Sequence, residues 1–132
     1  RKAHAGLVDL SERAEMLAAL ARRPEFANVV PVLGGESDVR LPADSLDLSI
    51  LVDVYHELEY PYELLESLVR ATRRGGRIVF VEYRAEDAFV PIKTLHKMTE
   101  VQVRREAAAF PLRWERTVRT LPWQHVVVFR RE

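Results

Sequence analysis

Cysteine does not occur among the 132 residues, which excludes disulfides, thiolate catalysis and cysteine-ligated zinc, although it does not by itself fix a redox compartment. Net charge is missing as well. Lysine plus arginine and aspartate plus glutamate stand at 20 each, so no overall field draws in nucleic acid or an anionic membrane surface. No apolar run approaches the ~20 residues that span a bilayer, and RKAHAGLVDL reads as too brief an apolar stretch for a secretory leader. The expected location is cytoplasmic, with no membrane and no nucleic acid among the partners. Neither an internal repeat nor a low-complexity tract occurs. Glycine is scarce, and four of the five are spent in two pairs, Gly34-Gly35 and Gly75-Gly76.

What is present suits one globular domain over residues 1–132. Its organising stretch is Leu41 to Tyr83. Leu48 to Val52 is a short continuous apolar run and Arg77 to Phe80 has a β-branched centre, so both read as buried, neighbouring parallel strands. Between them Leu64, Leu65, Leu68, Val69 and Thr72 recur at helical spacing after Pro61, and Gly75-Gly76 is the expected helix stop. A helix joining two parallel strands is a right-handed crossover. Ligands of open α/β sheets sit beyond the carboxyl ends of the strands, which points to Asp53, Tyr55, His56 and Glu57 after the first strand and Glu82 and Tyr83 after the second.

The flanks read more simply. Ala5 to Asp9 is a short strand, Ser11 an N-cap and Glu12 to Arg22 a helix with Met16, Leu17, Leu20 and Ala21 as its stripe. Asn28 to Leu33 is strand-like, but Pro31 places it at an edge. Glu36 to Asp47 is a polar loop. Arg84 to Leu95 lacks a period and reads as a loop or short helical turn over the strand ends, with Lys93, His96 and Lys97 as a solvated charged face. Thr99, with Gln102 three residues on, caps a helix from Glu100 to about Ala109. Leu112 to Val118 and Trp123 to Phe129 then form an antiparallel pair around Leu121-Pro122.

This order, with Asp9 closing a strand, LPADSLDLSILVDVYHEL, RRGGRIVFVEY and a terminal hairpin, resembles the class I S-adenosylmethionine-dependent methyltransferases of the type 11 and type 25 kinds. The resemblance implies an α/β, Rossmann-like sheet, mostly parallel with an antiparallel C-terminal strand, and S-adenosylmethionine as cofactor. It also implies that Asp9 accepts the ribose hydroxyls, with Leu10 beside it, that Glu36, Ser37 or Asp38 lies near the adenine, and that Asp53 and Val54 flank the methionine part. An ionised carboxylate offers two acceptors to the two donors of a diol.

One departure from the family is large. Its glycine-rich motif should precede Ala5, where only four residues stand, and Val32 to Glu36 is a poor substitute because LPADS rather than a helix follows. The chain also begins at Arg1, as expected of a piece of something longer. The family's first strand lies between its second and fourth, so its omission opens about 10 Å between the flanking strands at the ~4.8 Å inter-strand spacing. A preceding segment, a second copy of the chain or direct pairing of Ala5–Asp9 with Leu48–Asp53 would close that gap.

The implied function is methyl transfer to a small-molecule acceptor, with Tyr55, His56 and Tyr83 lining the acceptor pocket and His56 as catalytic base. The bland reading of His56 is a half-buried histidine satisfying a backbone group, and alignment alone often suffices for methyl transfer. No metal site is expected, since His4 and His125 lack partners at ligand spacing and His125 reads as structural. Arg70, Arg73, Arg74 and Arg77 read as a solvated cluster at the end opposite the site. Two other functions compete. One is a methyltransferase-like interaction module that has lost its cofactor; the other is a receiver-type signalling domain with Asp53 as phosphoacceptor, which lacks an acid beside Asp9.

Overall fold

The computed structural model describes the backbone of residues 5–9 and 14–132 and the side chains of residues 15–132. His4, Leu10 and Ser11 lie outside the described residues, and Asp9 is described through its backbone alone. In chain order the elements are β1 (Ala5–Asp9), α1 (Ala14–Ala21), β2 (Val29–Leu33), β3 (Leu46–Val52), α2 (Pro61–Ala71), β4 (Thr72–Arg84), β5 (Lys97–Met98), α3 (Glu100–Ala107), β6 (Leu112–Val118) and β7 (Gln124–Arg131).

β4 is the axis of the main sheet. It pairs parallel with β3 on one side and antiparallel with β7 on the other, β6 extends the sheet beyond β7, and β5 adds a short parallel contact at Tyr83 and Arg84. The crossover from β3 through α2 to β4 is the one that the Leu41–Tyr83 stretch predicts. β1 and β2 form a separate parallel pair, so direct pairing of Ala5–Asp9 with Leu48–Asp53 does not occur. β2 has β1 as its one strand partner among the described residues, as Pro31 requires of an edge. No helix among them is long and apolar enough to cross a membrane.

Alternation along the strands divides the sheet into two unlike faces. Ile78 and Phe80 of β4, Val127 and Phe129 of β7 and Leu51 of β3 turn toward Leu64, Leu65 and Leu68 of α2 and Val103 and Ala107 of α3, where the core lies. Phe80 is its pivot, meeting Tyr55 edge-on at 4.9 Å between ring centroids and Phe129 edge-on at 5.7 Å. On the other face of β3, Leu48, Ile50 and Val52 remain 51%, 57% and 55% exposed, so the apolar run there is buried on one side only. That corrects the reading of this strand as covered on both faces.

Two further expectations change for local reasons. α2 ends at Ala71, before the glycines, because Thr72 is already extended and its hydroxyl donates back to Leu68 O at 2.8 Å. The Gly-Gly pair serves the irregular entry to β4, where the register with β3 shifts between Leu46 and Leu48. Gly75 has a φ of +77°, and a Cβ on Gly76 would lie 2.8 Å from Arg73 O and from Thr72 Cγ2. β4 also runs on to Arg84, so Glu82 and Tyr83 belong to the strand and not to a loop after it. Thr99 caps α3 as the sequence predicts, its Oγ1 accepting from Gln102 N at 3.0 Å.

His125 faces Glu82 across the β4–β7 ladder and is buried as a structural histidine, with Nε2 lacking a partner among the described residues. Burial pushes its pKa below the usual value, and Arg84 and Arg119 add to this against Glu86 and Glu100. A base whose folded pKa is depressed stabilises the fold fully above its unfolded pKa of about 6.5, and that stability is lost as pH falls through the unfolded value toward the folded one. We predict that the urea midpoint falls between pH 7.5 and 5.5 and that His125→Phe removes part of the fall; an equal fall in both proteins contradicts this. Truncation at the pivot, Phe80→Ala, is predicted to cost about 3–5 kcal/mol in denaturant unfolding, and a cost under ~1 kcal/mol would show that the aromatic cluster is not the core.

Candidate functional site

Polar groups with no place in a hydrophobic core gather where β3 and β4 end. Glu82 is fully buried, one strand position past Phe80 on the core face. Its Oε1 accepts from the backbone N–H of Tyr55 at 3.0 Å, and its Oε2 lies 2.6 Å from His56 Nδ1. Burial pushes the Glu82 carboxyl above the usual carboxylate range, while His56 and the Tyr55 N–H act to hold it down and nearby Asp53 opposes them. The 3-10 turn Tyr55–Glu57 brings both of its partners to one carboxylate.

With Glu82 ionised, Nδ1 of His56 is the donor, and in the neutral ring Nε2 is the acceptor. Nε2 lies 3.1 Å from Nδ1 of His96, which reaches it from the 3-10 turn Thr94–His96, and the two rings meet edge-on. Glu57 Oε1 stands 3.8 Å from His56 Nε2 and 3.4 Å from His96 Nδ1. His96 therefore belongs to this cluster and not to a solvated charged face.

Asp53 closes β3 on the other side of Glu82. Its φ of +50° lies in the left-handed region, which aspartate tolerates better than most side chains. Its N–H donates to Val81 O at 2.8 Å, and Oδ2 accepts from Gln124 Nε2 at 2.8 Å. Oδ1 is buried with no partner among the described residues. Val54 packs at the border of the core.

The remaining expected residues separate. Tyr55 is a core residue, since its ring lies on Phe80 and burial, with Glu106 beside its hydroxyl, pushes its pKa up; what it gives the site is its backbone N–H. Tyr83 is half-buried on the sheet face opposite Glu82, opposite Gln124 in register, and so on Asp53's side. Glu36 and Ser37 are exposed. Asp38 turns its carboxylate to the backbone N–H of Arg40 at 2.7 Å and to Arg70 in the last turn of α2 at 3.3 Å, and these hold its pKa down. It is not brought to the His56 cluster.

Three of the four arginines around the glycine pair are paired. Arg70 meets Asp38, Arg73 meets Asp47 and Arg77 meets Glu115, which Arg77 and then Arg130 hold at about 2. Such pairing leaves Arg74 as the cluster's one arginine without an ion pair among the described residues.

Residues 3–80 match the family profile described as a methyltransferase domain. No curated protein matches the sequence. Among solved structures, an S-adenosylmethionine-dependent methyltransferase from Aquifex aeolicus superposes with a TM-score of 0.88 at 18% identity over 98% of this chain and 69% of its own. The trans-methyltransferase CalH, in complex with S-adenosylhomocysteine, gives 0.77 at 15% identity over 98% of this chain and 43% of its own. The [4+2]-cyclase SpnF gives 0.75 at 13% identity over 97% and 66%. With the profile covering more than half of the sequence and the topology in agreement, the chain belongs to the methyltransferase domain family of class I fold.

Proposed function

We propose that this protein transfers the methyl group of S-adenosylmethionine to a small-molecule acceptor bound beside His56. The observation that carries the reading is the buried Glu82, which fixes one imidazole at the carboxyl end of the sheet and turns its Nε2 toward the half-exposed His96. A fold shared with a cyclase does not choose a chemistry, and side chains at the site must.

The cofactor side is assigned to Asp9, Leu10, Glu36, Ser37, Asp38, Asp53 and Val54, with Asp9 at the end of β1 and Asp53 at the end of β3. Asp53 fits such a group, because Oδ1 is a buried acceptor without a partner among the described residues and an amino acid ammonium is a donor in search of one. The turn of Asp38 toward Arg70 makes it the weakest member of the set. Bound S-adenosylmethionine supplies an electrophilic methyl on a sulfonium. The chain's own contribution is to hold the acceptor: Glu82 keeps the His56 ring in one orientation, and Nε2 takes a hydrogen bond or a proton from an acceptor hydroxyl or amine. Tyr83, on the Asp53 side, supports the boundary between cofactor and acceptor.

Calorimetric titration with S-adenosylmethionine and S-adenosylhomocysteine tests the cofactor half. Binding is expected, with Asp9→Ala weakening it by about tenfold or more, since a hydrogen bond to a charged group is worth about 1.5–3 kcal/mol. A folded chain that binds neither compound favours the second reading, an interaction module that has lost the cofactor. For the acceptor half, we predict that His56→Asn lowers turnover of any acceptor found by mass spectrometry by about 100-fold or more and leaves cofactor affinity essentially unchanged. Full turnover in that variant would remove His56 from the chemistry.

A further inference from the structure

Nε2 of His56, Nδ1 of His96 and Oε1 of Glu57 form a triangle with sides of 3.1, 3.4 and 3.8 Å. Atoms so spaced share a point about 2.0 Å from all three, which falls on the bond lengths of about 2.0–2.2 Å that histidine nitrogen and carboxylate oxygen make to Zn2+. We infer that these three side chains form a divalent transition-metal site, a two-histidine, one-carboxylate set of the kind that takes Zn2+, Fe2+ or Co2+.

A second observation stands behind the first. A metal-bound imidazole commonly donates its other N–H to a carboxylate, which fixes the tautomer and makes the ligating nitrogen more basic. Glu82 holds Nδ1 of His56 in that way at 2.6 Å, from a fully buried position that the Tyr55 N–H secures. Charge agrees too, since Glu57 and Glu82 together offset a dication when both imidazoles are neutral.

The site is open on one side. The His56 side chain is 5% exposed, whereas those of His96 and Glu57 are 43% and 57% exposed, so an ion can enter from solvent and keep a free coordination position there. That position faces the space assigned above to the acceptor, and an acceptor oxygen or nitrogen is the ligand it suits. The inference deepens the proposed function only in what the ion is for; the ion itself depends on these four residues alone. With the ion bound, His56 would act as its ligand and not as the base, and the ion would acidify a coordinated acceptor hydroxyl so that its proton passes to solvent water.

Titration of the metal-free, 132-residue protein with Co2+ in the absence of cofactor, read by visible absorption and then by displacement with Zn2+, tests the site. One Co2+ per chain is expected, with His96→Ala and Glu57→Gln each weakening it about tenfold or more. Glu82→Gln retains all three ligands and is expected to weaken binding by about 10- to 100-fold by freeing the ring. Both ligand substitutions lie at the surface, and circular dichroism verifies their fold. No stoichiometric Co2+ in a folded protein, or an affinity unchanged by His96→Ala or by Glu57→Gln, overturns the assignment. Either result leaves methyl transfer to be judged by the cofactor titration, which requires no metal.

Discussion

A carboxylate without water must be fully engaged or it destabilises the fold, and Glu82 sets that condition for the whole polar end of this molecule. It lies on the core face of β4, in line with Ile78 and Phe80, where an apolar residue would complete the pattern. Satisfying it ties the turn after β3 to β4 through the Tyr55 N–H and the His56 ring. Once that ring is fixed, the positions of His96 and Glu57 gain meaning, because both converge on its Nε2.

Around this point the sheet separates two kinds of task. Aromatic packing of Phe80 against Tyr55 and Phe129, under α2 and α3, gives the stiff floor from which Glu82 projects. Asp53, Gln124 and Tyr83 occupy the other side of the strand ends, where Gln124 Nε2 donates to Asp53 Oδ2. The first is rigid by burial, and the second is held by single hydrogen bonds. Positioning a nucleophile needs the former more than the latter.

Much of the outline was legible early because it rests on local rules. The Leu48–Val52 run, the stripe of α2 and the Thr99 cap each require only neighbours in sequence, and each stands within a few residues of its expected place. Other details were not local. Thr72 ends α2 before the glycines because its hydroxyl bonds back to Leu68, and the Tyr55 ring turns into the core because Phe80 offers it a surface. His96, in a stretch without period, gave no sign of its role; its partner is forty residues away in sequence.

By itself, then, the sequence determined the crossover and the residues near the ends of its strands, since hydrophobic period, proline and capping chemistry act over one or two turns of chain, while the family showed itself through the resemblance of its ordered motifs. The tertiary structure alone decided which of those strand-end residues meet. Glu82 with His56, and His96 with His56 and Glu57, are contacts between segments distant in sequence, made by a fold that places their side chains within bonding distance. Proximity of that kind has no period to read, because it arises from how the elements pack and not from what any one of them contains.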